Sequence, residues 1–314
     1  MTLKQLEAFY WAATCTNFAT AAERLHLSTS SLSKRIGELE RSLDVELFDR
    51  SGHGATLTPA GQRLLPIAGD LLQRADHVVR TLGKVNGLQG TCRLGVDESG
   101  SVTWLPRWVR ALRTAHPALS INVEVDVSES LSWRLARGEI DAAIVGGNSA
   151  HPELLSTTIA QAEFVWCASP AVARRIGELD AHAWQTQTLV SLPRGSGVTE
   201  VIDAWMLRNG ARPAKVLSCN RWGGVAGLIA NEEGVGILPH TWAMSLSKQG
   251  AVQVVVSGQK LESLTYQFQT RHDDSRPIIA ALRTSLFEAA DFSLSTSVIA
   301  FVGNHVPRAD SLQI

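Results

Sequence analysis

Apolar positions near the start of the chain recur at helical spacing. Leu3, Leu6, Phe9, Tyr10 and Ala13 share one face of a helix over 3–16. Asn17 suits the cap of a second, short helix from Ala19 to Leu25. The turn His26-Leu27-Ser28 follows, and Ser28 can cap a third helix from Thr29 to about Ser42. Leu32, Ile36, Leu39 and Leu43 form the apolar face of that helix. Two helices on so short a turn describe a helix-turn-helix, with Ala22 small at the crossing and Leu25, Leu27 and Leu32 filling the wedge. The opposite face carries Thr29, Ser30, Ser33, Lys34 and Arg35. Short hydroxyls let a helix sit deep in a major groove, and the two cations can meet phosphates or guanine edges. A plain three-helix bundle with a solvated face fits the same pattern. The next segment separates the two readings. Val45–Arg50 alternates, Ser51-Gly-His-Gly54 turns and Ala55–Thr58 returns, which is a hairpin wing. It would carry Arg50 and His53 to the neighbouring backbone or minor groove.

Thr58-Pro59 starts a long helix, with a capping hydroxyl and then proline at the first helical position. Leu57, Leu64, Leu71, Val78 and Val85 recur along it every seven residues, and Gly61, Ala68, Ala75 and Leu82 form a second row. This is a heptad seam suited to pairing with a second helix, with Leu64, Leu71, Val78 and Val85 as dimer contacts. A lone helix packed on its own domain is the alternative. Pro66 removes one helical hydrogen bond and costs about 3 kcal/mol, which predicts a kink or an irregular turn. Gly83, Gly87 and Gly90 mark the exit into a hinge.

From Cys92 the pattern becomes alternating strands and helices. Ile121, Val123, Val125 and Val127 alternate with Asn122, Glu124 and Asp126, and Ile140–Val145 reads as a buried strand. A second series of strands and helices begins near Glu163, and a last helix covers Pro277–Ala290. This is an α/β arrangement of parallel sheets with covering helices, in two lobes. Ligands of such sheets bind beyond the carboxyl ends of strands, where helix N-termini offer free N–H groups. The loops there are Asp97–Ser101, Ser128–Ser130, Gly146-Gly147, Pro193–Gly197 and Asn220–Trp222. Ser99, Ser101, Ser128, Arg194, Ser196, Asn220 and Trp222 are the candidate ligand contacts, with Arg194 as counter-ion to a carboxylate. Helix caps and a solvated loop arginine are the plainer account of the same residues. Trp104, Trp108 and Trp222 sit near these loops and either line a cleft or belong to the core.

Composition narrows the function classes. With 314 residues, 45% hydrophobic and 19% charged, the chain has the make-up of two or three compact units. Its formal net charge of −1 means that any affinity for nucleic acid is local. The four cysteines are far apart, with no C-x-x-C, which argues against a zinc knuckle or redox pair and for reduced, buried thiols. No secretory signal and no membrane-spanning run is visible, which predicts a cytoplasmic protein. Gly195-Ser196-Gly197 is not G-x-S-x-G, and Gly234–Pro239 has proline at the third glycine of a dinucleotide fingerprint. With no H-E-x-x-H and no phosphate-binding loop, neither enzyme, cofactor nor metal is expected. A ligand-binding transport protein is disfavoured by the missing signal peptide and by the wing.

The ordered set Leu6-Glu7-Ala8-Phe9, Phe18–Ala22, Leu27-Ser28, Ser33-Lys34-Arg35-Ile36, Leu39-Glu40, Leu47-Phe48-Asp49-Arg50 and Leu57–Gly61 strongly resembles the LysR-type transcriptional regulators. Thr29-Ser30 departs from the Gln-Pro or Gln-Ser usual at the head of the recognition helix, and the chain runs on past Phe292 to Ile314. The resemblance implies a winged helix-turn-helix over 1–58, a linker helix and hinge over 59–90, and a periplasmic-binding-protein-like effector domain over 91–292. Lobe 1 would be about 91–161 plus 268–292 and lobe 2 about 162–267, with crossings near Ile159–Glu163 and Tyr266–Thr270. Residues 293–314 have no matched role. The implied partners are double-stranded DNA, a small-molecule effector and a second copy of the chain, as homodimer or homotetramer, with no membrane. The helix N-termini favour a small organic anion or polar metabolite as effector.

Overall fold

A computed structural model describes residues 1–49, 55–82, 88–148, 151–274 and 276–292. The first domain holds α1 (Leu3–Thr14), α2 (Phe18–Arg24) and α3 (Thr29–Leu43), then strands β1 (Phe48–Asp49) and β2 (Thr56–Leu57). Each helix starts on a side-chain cap: Thr2 accepts from the Gln5 N–H, Asn17 from Thr20 and Ser28 from Ser31. Leu6, Phe9, Leu32, Ile36 and Leu39 are buried between the helices. Phe48 closes this core against Phe9 and Phe18, at ring separations of 5.7 and 5.2 Å. β1 and β2 pair antiparallel as the wing.

The linker helix α4 (Pro59–Leu82) runs as one helix through Pro66, where the sequence predicts a kink. Pro66 is exposed and so is Gln62, whose carbonyl the proline leaves unpaired, so water can satisfy it. The two rows of the seam also separate differently from expectation. Ala68 is buried against the first domain, and Leu64 packs half-buried against the same core. Gly61 lies so close that a Cβ there would stand 2.3 Å from the Leu47 carbonyl oxygen. The small residues thus seat α4 on its own domain, and the outward apolar row is Ile67, Leu71 and Val78. Val85 lies outside the described residues.

The remaining elements form two lobes. In chain order they are β3 (Gly90–Val96), α5 (Glu98–Val102), α6 (Leu105–Ala115), β4 (Leu119–Val125), α7 (Ser128–Ala136), β5 (Ala142–Gly146), β6 (Leu154–Ala162), β7 (Phe164–Ala168), α8 (Pro170–Ile176), α9 (Ala181–Trp184) and β8 (Thr188–Ser191). Then come α10 (Val198–Arg208), β9 (Lys215–Ser218), α11 (Trp222–Ala230), β10 (Val235–Pro239), α12 (His240–Lys248), β11 (Gln253–Val254), β12 (Leu264–Arg271) and α13 (Pro277–Ala289). Lobe 1 has the sheet β4-β3-β5-β12-β6, and lobe 2 has β11-β7-β10-β8-β9. β3 pairs parallel with β4 and β5, whereas β12 runs antiparallel between β5 and β6. The fold is therefore α/β with two similar lobes.

One crossing lies elsewhere than the resemblance implies. β12 pairs with β6 from Leu264 opposite Ala162 to Arg271 opposite Leu154, wholly within lobe 1. The second crossing accordingly falls before Leu264, not within Tyr266–Thr270. The first falls at Glu163, between β6 and β7. Lobe 2 is packed around Trp166, which meets Trp184 and Trp205 edge-on at 5.1 Å each.

Candidate functional site

Two regions carry the candidate chemistry. On α3, Thr29, Ser30, Lys34 and Arg41 are exposed, and Ser33 and Arg35 are half-buried. At 100° per residue, Ser30, Lys34 and Arg41 lie within about 40° of one line, opposite the buried Leu32, Ile36 and Leu39. Arg41 is absent from the sequence-derived set, although it stands seven residues beyond Lys34, on the same stripe. Its Nε donates to the Gly37 carbonyl at 3.2 Å, which lays the side chain along the helix surface. Arg35 falls on the flank of α3, where it lines a cavity of about 530 Å³ with Trp11, Leu72 and Arg276. Arg50 and His53 lie outside the described residues.

The strand-end loops of the two lobes meet at a common cleft, and the protein's own groups occupy its centre. Asp97 caps α5 by accepting from the Gly100 N–H at 3.0 Å. Its other oxygen accepts from the Tyr266 hydroxyl at 2.8 Å and from Ser99. Ser99 is buried and also contacts the Tyr266 hydroxyl at 2.6 Å. The Ser101 hydroxyl donates within its own helix to the Glu98 carbonyl. Ser128 accepts from the Gly146 N–H at 3.1 Å. Ser196 is buried, and its hydroxyl has no partner among the described residues.

Contacts across the cleft draw the lobes together. The Glu98 carboxylate accepts from the Trp222 N–H at 2.8 Å, at the start of α11. The Glu129 N–H donates to the Gly195 carbonyl at 2.9 Å. The centre that remains, between Asp97, Ser128, Ser196 and Trp222, holds only about 20 Å³. A larger flank of about 610 Å³ is lined by Ser128, Glu129, His151, Arg194 and Glu200, and a third space of about 250 Å³ by Ser99, Thr103, His240 and Trp242. Arg194 has a side chain 91% exposed and lies 4.0 Å from Asp203. Asn220 is exposed at the rim.

The tryptophans divide. Trp222 is buried beside the cleft and stacks on Phe164 at 5.8 Å. Trp104 and Trp108 belong to the core of lobe 1, where they pack on each other at 6.0 Å and the Trp108 Nε1 donates to Ser285. Tyr266, which closes the Asp97 network, sits far along the chain, and its alternating strand gave no sign of a polar role. Among the described residues, no cluster of His, Cys, Asp and Glu could hold a metal ion. No described helix is long and apolar enough to cross a membrane.

Burial pushes the Asp97 carboxyl above the usual carboxylate range, and its bonds from Ser99, Tyr266 and Gly100 offset only part of the shift. A carboxyl that holds its proton more tightly when folded stabilises at low pH, and that contribution is lost as pH rises through the folded value. From the unfolded value of about 4 upward, the wild-type chain should lose stability relative to Asp97→Asn, by at most about 1.4 kcal/mol per pH unit. Denaturant unfolding at stepped pH reads the difference. Parallel curves for the two proteins would show that Asp97 titrates alike in both states.

Comparison with known proteins places these regions. Residues 3–62 match the model for the bacterial regulatory helix-turn-helix protein, lysR family, and residues 86–291 match that for the LysR substrate binding domain. The HTH-type transcriptional regulator GltR of Bacillus subtilis (strain 168) is 24% identical over 289 residues, covering 91% of this chain and 96% of GltR. The crystal structure of ArgP from Mycobacterium tuberculosis matches with a TM-score of 0.66 at 20% identity, over 93% of this chain and 98% of that one. Full-length CbnR in complex with its target DNA matches with a TM-score of 0.51 at 21% identity, over 92% and 100% of the two chains. The helix-turn-helix with its wing, the two-lobed α/β domain and these matches confirm the resemblance read from the sequence: the chain belongs to the LysR family of transcriptional regulators, which bind DNA and an effector and are not enzymes.

Proposed function

We propose that α3 enters a major groove with Ser30, Ser33 and Thr29 toward base edges and with Lys34 and Arg41 on phosphates. The observation that carries this is the outward line of Ser30, Lys34 and Arg41 on a capped helix whose other face is buried. Arg35, on the flank, is assigned a backbone contact of lesser weight. Arg50 and His53 lie outside the described residues and enter this reading from the sequence alone, as contacts to the neighbouring backbone or minor groove.

The effector enters between the lobes, where Ser128, Ser196, Asn220 and Trp222 line the centre, Arg194 lines the larger flank and Ser99 the third space, with Ser101 nearby on α5. The N-terminus of α11 already donates to a carboxylate, that of Glu98, through the Trp222 N–H. A small organic anion would take that place by displacing Glu98. Favouring one lobe angle over another is what would make such binding a signal.

Binding of the full-length chain to its upstream region, followed by fluorescence anisotropy at several salt concentrations, tests the DNA reading. Lys34→Ala and Arg41→Ala should each weaken binding about tenfold on every sequence and lower the salt slope by about one. Ser30→Ala should instead change the preference among bases, as should Ser33→Ala and Thr29→Ala. If Lys34→Ala and Arg41→Ala bind as tightly as wild type at every salt, α3 does not lie on DNA in this orientation.

A further inference from the structure

The first domain rests on lobe 1 of its own chain, and a buried carboxylate stands at the joint. The Asp141 side chain is 1% exposed and pairs with both Arg24, the last residue of α2, and Arg276. Its second oxygen accepts the Arg93 N–H at 2.8 Å. The Arg24 guanidinium lies 3.9 Å over the Trp11 ring of α1 and also donates to the Gly138 carbonyl of lobe 1. Around this centre the Thr16 N–H donates to the Arg137 carbonyl at 3.2 Å, and the Tyr10 hydroxyl to the Asp273 backbone carbonyl at 3.4 Å. Arg271 reaches the Thr14 carbonyl.

The charges explain why the joint depends on Asp141. Arg276 has a second carboxylate, Asp274, and Arg271 has Asp273. Asp141 is the acid that Arg24 shares. Burial, and then the neighbouring Arg276, lower the Arg24 guanidinium to about 9, so it is still a cation at neutral pH. A cation with a side chain 7% exposed and no carboxylate beside it is strongly disfavoured, and undocking would return it to water.

The joint also connects to the effector cleft. Asp141 immediately precedes β5, whose far end, Gly146, reaches the cleft. β12 lies beside β5 with Arg271 at the joint and Tyr266 bonded to Asp97 at the cleft. Five residues of strand cover roughly 17 Å, so each strand spans from one site to the other. We infer that Asp141 is a positioning residue for DNA recognition, which holds the DNA-reading helices on the strands that run to the effector cleft by pairing with Arg24. The inference rests on the reading of α3 and of the cleft given above. Lobe 1 and the helix-turn-helix then move as one body, and lobe movement sets the spacing of the two reading heads in a dimer.

Amide hydrogen exchange on the full-length chain tests the joint without DNA, so its failure is distinct from failure of the DNA reading. Asp141→Asn should speed exchange at Thr16, whose N–H donates across the joint, at least tenfold. Adding Arg24→Met should bring exchange back to within threefold of wild type, because the unpaired buried cation is gone. A defect confined to lobe 1 would not respond to a change at Arg24. On DNA, Asp141→Asn should weaken binding to a two-half-site sequence about tenfold and to a single half-site less than twofold, and the double variant should recover. Unchanged exchange in Asp141→Asn, no recovery in the double variant, or equal loss on both DNAs would each overturn the inference.

Discussion

Leu71→Glu in the full-length chain is expected to leave each subunit folded, to dissociate the dimer and to raise the Kd for a two-half-site DNA at least a hundredfold. The argument starts from the division of α4 into two faces. One face carries Gly61, Ala68 and Leu72 into the helix-turn-helix core. On the other, Ile67, Leu71 and Val78 are 54, 37 and 54% exposed in the single chain. Their spacing of four and then seven residues is that of a two-helix seam. A symmetric dimer would place both copies of residue 71 in one interface, so the substitution buries two carboxylates. Each such unpaired charge costs several kcal/mol. The DNA consequence follows from linkage of the two heads. Joined heads present the second half-site at an effective concentration that raises avidity by about 10² to 10⁴, and separated heads forfeit it. Sedimentation velocity at micromolar concentration and anisotropy on one and two half-sites measure both effects. A Leu71→Glu chain that remains dimeric would place the interface elsewhere.

How far the sequence revealed the molecule depends on how local each determinant is. α1 to α3 were legible because the 3.6-residue period and the caps at Asn17 and Ser28 are written within a few residues of the elements they control. The central strands of lobe 1 were legible because Ala142–Gly146 is a short apolar run buried along its whole length. β6 was not, since an edge strand with both faces half-wet, Leu-Leu-Ser-Thr-Thr-Ile-Ala-Gln-Ala, need not alternate. The seam of α4 was half legible. A seven-residue period marks that a row exists but not which row faces a partner, and the small residues at 61 and 68 turned out to serve the nearer domain. The cleft was legible as a set of loops and not as a state. That Glu98 would reach Trp222, or Tyr266 reach Asp97, depends on the angle between lobes and on strands distant in sequence. The Arg24–Asp141 pair is of the same kind, because no local rule ties the end of α2 to the start of β5.

The second large effect is expected at Gly197. Gly197→Ala should hold the lobes apart and speed amide exchange at Trp222 and Glu129 at least tenfold, with both lobes still folded. Gly197 has φ +68° and ψ −39°, a conformation that residues with a Cβ rarely adopt. A Cβ there would stand 2.2 Å from the Gly146 oxygen and 2.6 Å from the Gly146 carbonyl carbon. Gly146 belongs to β5 of lobe 1, and Gly197 opens α10 of lobe 2, so the overlap falls between the lobes. No rotamer relieves contact with backbone. β5 is paired on both sides within its sheet and cannot retreat alone, so the relief available is rotation of one lobe away from the other. That motion breaks the Glu98 bond to Trp222 and the Glu129 bond to Gly195 together. Gly210→Ala supplies the control. Gly210 also has a positive φ, +59°, but a Cβ there meets nothing within 4 Å. It should carry the cost of a positive φ, about 1–3 kcal/mol, without touching lobe 1. Exchange at Trp222 and Glu129 should then stay at the wild-type rate, and small-angle scattering should report an opened domain for Gly197→Ala alone. If the two variants behave alike, the close approach of Gly197 to Gly146 does not govern closure, and the signal must arise from the ligand contacts themselves.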